Sequence, residues 1–204
     1  MKHPKLHALA LGAALAVACT GQALAESQYG YSSTGSGSVT ATATVKLSVV
    51  VPKLILLKVG SSNGVQDTVS WTTALTIPPT PGTTPTTTAN NTVVPWNGTA
   101  APTAATTATG NVVNVSAWTN ATSANINCAI GTWVGTGGPA NADFEVTTAG
   151  SLPHPGGNLG ACASTTINSN TLLTGTWTYA LTGTPTSWKA GTYTNSVVYT
   201  ATGV

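Results

Sequence analysis

Arginine is absent from this 204-residue chain, and charge of either sign is scarce, since six lysines and four carboxylates make up only 5% of the residues. An ordinary soluble domain carries about 25% charged side chains, so this surface takes its polarity from Thr, Ser and Asn instead. A few scattered lysines cannot replace the counterions of a nucleic acid, which excludes nucleic acid as a partner. Acid–base catalysis is equally short of means, with four carboxylates and three histidines in the whole chain. No glycine-rich phosphate loop, nucleophile elbow or zinc-ligand pattern is present. The composition leads us to expect a protein that is not an enzyme and holds no cofactor and no metal.

The chain also lacks the run of about 20 apolar residues that a membrane span requires. Residues 1–25 read as a secretory signal peptide instead. Lys2 and Lys5 form the basic start, Leu6 to Ala18 the short apolar run, and Ala23-Leu24-Ala25 the cleavage site. Ala16-Val17-Ala18-Cys19 loosely resembles a bacterial lipobox, with Ala16 where Leu is usual, so lipidation at Cys19 is the alternative. Cleavage after Ala25 leaves Lys46, Lys53, Lys58 and Lys189 against Glu26, Asp67, Asp143 and Glu145, a formal net charge of 4 − 4 = 0. A neutral surface favours association. Cleavage also leaves Cys128 and Cys162, an even pair that in an exported chain reads as one disulfide. Closing a loop of roughly 35 residues contributes about 3–4 kcal/mol in the chain-entropy model. A metal site built from the same thiols is the alternative. The expected location is extracellular or at the cell surface.

Helical periodicity is missing beyond the signal peptide, and apolar/polar alternation takes its place. The longest instance is Val39, Ala41, Ala43, Val45, Leu47, Val49 and Val51, thirteen residues in one phase, interrupted by Pro52. Further strands are expected over 53–59, 69–75, 111–118, 126–130, 144–146, 173–181 and 192–201. Short strands, Gly/Pro turns and one disulfide suggest an all-β fold, a single immunoglobulin-like antiparallel β-sandwich with an N-terminal extension strand. A closed barrel is the alternative. Residues 26–38 read as a flexible Gly/Ser/Tyr tail, 39–204 as the sandwich, and 78–109 as a Thr/Pro-rich loop without periodicity. Asn90, Asn97, Asn114 and Asn120 begin Asn-x-Ser/Thr triplets of the kind that arise by chance in a Thr/Asn-rich chain.

Candidate chemistry is sparse. Asp143 and Glu145 lie two apart and would share one face of a strand, but Phe144 and Val146 fill the other, as on any half-solvated strand. His154 sits between Pro153 and Pro155 in a stiff loop, with no second histidine after the signal peptide to complete a metal site. The six tryptophans divide by phase. Trp71 and Trp177 fall among core residues, Trp118 points the other way, and Trp96, Trp133 and Trp188 lie in connections. These last three form a possible ligand or interface set, since an exposed indole stacks on sugars or anchors an interface.

Residues 39–51 follow a tail at the start of the mature chain, and in that they resemble the donor strand of fimbrial subunits, which completes a neighbour's open sheet. The segment Ala190-Gly191-Thr192-Tyr193-Thr194-Asn195-Ser196-Val197-Val198-Tyr199 resembles the Gly-Thr-Tyr final strand of secreted bacterial pilin-like domains. Together with Leu152-Pro153-His154-Pro155 and Thr176-Trp177-Thr178-Tyr179, it is similar to exported bacterial β-proteins. Chaperone–usher subunits usually carry their disulfide near the N-terminus and an aromatic residue next to last, whereas this chain has Cys128 and Cys162 in its second half and ends Thr202-Gly203-Val204. The resemblance implies a structural subunit whose partner is a second copy of itself, forming a filament or fimbria by strand addition. Pairing of 39–51 within its own subunit is the other possibility. A secreted glycan-binding or adhesin module using Trp96, Trp133 or Trp188 is the alternative function.

Overall fold

The computed structural model describes residues 27–204 apart from Ser62 and Thr80. The expected signal peptide and Cys19 lie outside the described residues. The chain divides into two compact units, the first ending at Val51 and the second running from Pro52 to Val204.

The second unit is all-β and every pairing in it is antiparallel. Strands β1 (Ile55–Val59), β4 (Val112–Thr119), β8 (Leu173–Leu181) and β6 (Phe144–Gly150) form one sheet in that spatial order. Strands β7 (Ser164–Ile167), β5 (Ala124–Ile130) and β9 (Val197–Gly203) form a second. Strands β2 (Ser70–Thr76) and β3 (Thr103–Thr109) pair only with each other. The expected sandwich is therefore formed, and its sheets do not close into a barrel.

Alternation decides which face is buried. Val113, Val115 and Ala117 of β4 point inward with Leu173, Trp177 and Tyr179 of β8 and with Phe144 and Val146 of β6. Ala124, Ile126 and Ile167 close over them from the second sheet. Trp177 is 0% exposed, and its indole N–H donates to the Leu152 carbonyl at 3.0 Å, so the buried polar atom is satisfied. Gly175 is demanded by close packing, because a Cβ there would lie 2.3 Å from the Ala149 carbonyl oxygen. Cys128 of β5 is disulfide-bonded to Cys162, with the Cα atoms 5.4 Å apart.

Two expectations need correction here. The loop expected over 78–109 contains β3, and the closing strand begins at Val197, which leaves Tyr193 in the preceding loop.

The described residues of the N-terminal unit, 27–51, contain no strand. The tail makes local contacts. Ser32 Oγ donates to the Ser36 carbonyl at 2.8 Å, and the Gly35 N–H reaches the Ser32 carbonyl at 3.3 Å. Gly30 then lies so close to Thr40 that a Cβ would come within 2.8 Å of its carbonyl oxygen. Beyond this fold-back, residues 38–51 run without a turn, bend or bridge and are exposed throughout. Leu47 is 86% exposed and Val50 90%. Among the described residues the most regular alternating segment of the chain is thus exposed and forms no strand.

Candidate functional site

Hydrogen-bond phase identifies which sheet edges are open. In an antiparallel pair, successive residues turn their N–H and C=O alternately toward and away from the partner. The Gly60 N–H donates to the Asn114 carbonyl at 2.8 Å, and the Asn120 N–H to the Leu54 carbonyl at 3.3 Å, so the even-numbered residues of β1 bond to β4. Ile55, Leu57 and Val59 therefore turn their backbone groups away from the sheet. By the same phase, the Gly131 N–H on Ser196 and the Val204 N–H on Ser123, both at 2.9 Å, commit Val198, Thr200 and Thr202 to β5. Val197, Tyr199 and Ala201 are left with outward-directed backbone groups. Among the described residues, neither edge is paired. The opposite edges of these two sheets are managed differently. On β6, the Val146 N–H donates to the Gly157 carbonyl at 2.9 Å, and Glu145 bridges to Asn158. Strand β7 offers only four residues. Unpaired edges are templates for strand addition, and natural sheets cover them or keep them short.

A cavity of about 1240 Å³ lies beside the two open edges. Leu57 and Val59 of β1 line it opposite Val197 and Tyr199 of β9, with Phe144 and Tyr179 in its wall. It does not extend to Ile55 or Gly203. At that end Gly203 packs on Thr119, the partner of Ile55, and on Ala121, where an added Cβ would approach to 2.8 Å. The groove thus ends before Gly203, and its lining runs from Tyr199 and Val197 back along residues 188–196 and across Val69 to Thr73 of the β2 segment.

Aromatic rings shape its wall. Phe144 lies between Trp71, tilted at a centroid distance of 5.0 Å, and Trp133, stacked at 5.2 Å. The Trp133 N–H donates to Asn141 Oδ1 at 2.7 Å. Trp133 and Trp188, two of the three tryptophans expected at a ligand site, line the groove, and Trp71, expected in the core, joins them. Trp96 does not. It is exposed and donates its N–H to the Ala100 carbonyl at 2.9 Å within its own loop.

The groove also carries a polar chain that the sequence does not announce. Tyr179 of β8 and Tyr199 of β9 bring their hydroxyls to 2.6 Å, and His154 Nε2 lies 2.7 Å from the Tyr199 hydroxyl. His154 Nδ1 is 2.6 Å from the Gly156 carbonyl, which can only accept. The imidazole hydrogen is therefore on Nδ1, and Nε2 accepts from Tyr199, whose oxygen accepts from Tyr179. Burial lowers the His154 pKa from its ordinary value of 6.5, opposed in part by the bond to Gly156. Burial likewise raises both tyrosine hydroxyls.

The two carboxylates considered in the sequence do not form a pair on one strand. Asp143 ends a 3-10 turn and accepts the Ala140 N–H at 2.7 Å, while Glu145 is exposed on β6. Among the described residues no helix is long and apolar enough to cross a membrane. Comparison with family models, with curated proteins and with solved structures finds no match to this chain.

Proposed function

We propose that this protein is an exported, non-enzymatic structural subunit that self-assembles into an extracellular filament or surface layer, residues 39–51 of one copy entering the groove of the next. The observation that carries this reading is the pairing of a surplus with a deficit. Each chain exposes a long alternating segment that forms no strand among the described residues, and the β1 and β9 edges of each sandwich lie unpaired beside a groove with an aromatic wall.

The parity fits. The free backbone groups of β9 belong to Val197, Tyr199 and Ala201, which face inward, and directly opposed residues in a ladder share a face. An added strand bonded to them through consecutive members of the series Ala41, Ala43, Val45, Leu47 and Val49 would turn that series to the groove side and Lys46 to solvent. Main-chain hydrogen bonds would supply the ladder, and each Val or Leu fully buried contributes roughly 1.5–3 kcal/mol. One donor and one acceptor per copy form a heterologous contact that does not close on itself, which grows a fibre. Neutral charge, Thr-rich outer faces and the internal disulfide suit a persistent extracellular material.

Negative-stain electron microscopy of the exported protein tests the reading directly. Fibres are expected from the intact chain and none from a variant lacking residues 26–51. Fibres that persist in the deletion variant overturn it. The aromatic wall formed by Trp71, Trp133 and Trp188 favours a second reading, a glycan-binding module. It predicts a monodisperse monomer whose tryptophan fluorescence responds to a polysaccharide.

A further inference from the structure

His154 holds the one imidazole between residues 8 and 204, and it stands where the two sheets meet. Its hydrogen-bonded chain runs from Gly156 in the loop after β6, through Tyr199 on the second sheet, to Tyr179 on the first. Both tyrosines line the groove. We propose that this chain is a proton-sensitive strut across the groove, and that acid weakens the groove's hold on an incoming strand. The proposal rests on the reading that residues 39–51 of a second copy occupy that groove.

The surroundings leave a proton nowhere to go. His154 is 7% exposed, with Trp177 edge-on at 4.8 Å, Tyr199 at 5.4 Å and Tyr179 at 6.2 Å between ring centroids. From β6, Thr148 accepts the His154 backbone N–H at 3.1 Å. The titratable groups facing the imidazole are thus the two tyrosines, both neutral at ordinary pH. Among the described residues no carboxylate is bonded to it. A proton on Nε2 would meet the Tyr199 hydroxyl hydrogen head-on. Tyr199 would have to turn and donate to Tyr179, whose own hydrogen would then lose its acceptor. Protonation therefore buries an uncompensated cation and orphans a hydroxyl, both costly in an apolar wall.

An occupied groove keeps water from Tyr179 and Tyr199 and makes that cost higher. Strand and proton then exclude each other, and by linkage the strand must lower the imidazole pKa further. The sign follows. Affinity is full above the pKa of the empty groove and falls as the pH drops through it, by up to about tenfold per pH unit until the occupied form also titrates.

The test measures binding of a labelled synthetic peptide of residues 39–51 to the exported protein from pH 8 to 4.5, with His154→Gln beside the wild type. Glutamine can accept from Tyr199 and donate to Gly156 without titrating. The expected result is a decline in acid for the wild type and a flatter profile for His154→Gln. A wild-type profile that is flat while peptide binds, or a decline that survives unchanged in His154→Gln, overturns the proposal. Histidine NMR of the wild type gives an answer without any variant, since a peptide that binds must lower the His154 pKa, and a pKa it leaves unchanged also overturns the proposal. Peptide that binds at no pH overturns the assignment of the groove itself, an outcome distinct from binding that ignores pH.

Discussion

Replacing Leu47 by serine separates a residue's role in its own subunit from its role in a neighbour's. In the isolated chain the Leu47 side chain is 86% exposed and belongs to no ladder. Such a substitution changes the stability of the folded subunit by no more than about 0.5 kcal/mol. For a chain of this size that moves the thermal midpoint by about 1–2 °C. The arithmetic reverses at a junction. If the same side chain is fully buried in the next copy's groove, its loss costs about 2–3 kcal/mol, or roughly 30- to 150-fold in the junction constant. Sedimentation reads this as a rise of that factor in the concentration at which polymer first forms. Ser48→Ala, one residue along on the opposite face, is the control and leaves that concentration unchanged. Equal polymerisation by Leu47→Ser and the wild type would refute the burial. A midpoint lowered by many degrees would refute it too, because the segment would then be packing within its own subunit.

Three further outcomes follow from the core and the groove. Trp177→Phe orphans the Leu152 carbonyl and leaves a void where the indole was buried, and urea denaturation should show a loss of about 2–4 kcal/mol. Replacing Cys128 and Cys162 together by serine should cost about 3–4 kcal/mol, measured the same way, and reducing agent should affect the wild type alone. The folded pKa of His154 is depressed, so the stability it contributes is present above the unfolded value of 6.5 and declines as pH falls from there toward the folded pKa. Chemical denaturation between pH 8 and 4.5 should show that decline, limited to about 1.4 kcal/mol per pH unit from this group, and His154→Gln should lack it.

Strands whose inner face is Val, Ile, Leu or Trp were legible because alternation and burial coincide in them. β4 and β8 lie within a residue or two of their expected bounds. β3 was not legible. Its sequence Thr-Ala-Ala-Thr-Thr-Ala-Thr has no apolar phase, and it is a strand because β2 pairs with it along its whole length. β7, four residues long, carries too little pattern to stand out. Residues 39–51 erred the other way. Their alternation is the cleanest in the chain, yet periodicity reports only what a segment can pair with, not whether a partner is present. The disulfide was readable from count and compartment. The His154–Tyr199–Tyr179 chain was not, because its members are 20 and 45 positions apart and meet only when β8 and β9 face each other. The groove was invisible for the same reason, being a property of which sheet edges go unpaired.

Only Pro52, Lys53 and Leu54 separate Val51 from the first residue of β1. Three residues reach about 10 Å at full stretch, and proline removes much of what freedom they have. In a fibre joined through these segments, each sandwich would be coupled to the strand it donates almost without slack. Bending at a junction would have to deform a β-ladder or slide an apolar strand in its groove. Such a fibre would be mechanically stiff along its axis and loaded in shear when pulled, the direction in which a ladder of hydrogen bonds shares force among all its rungs at once.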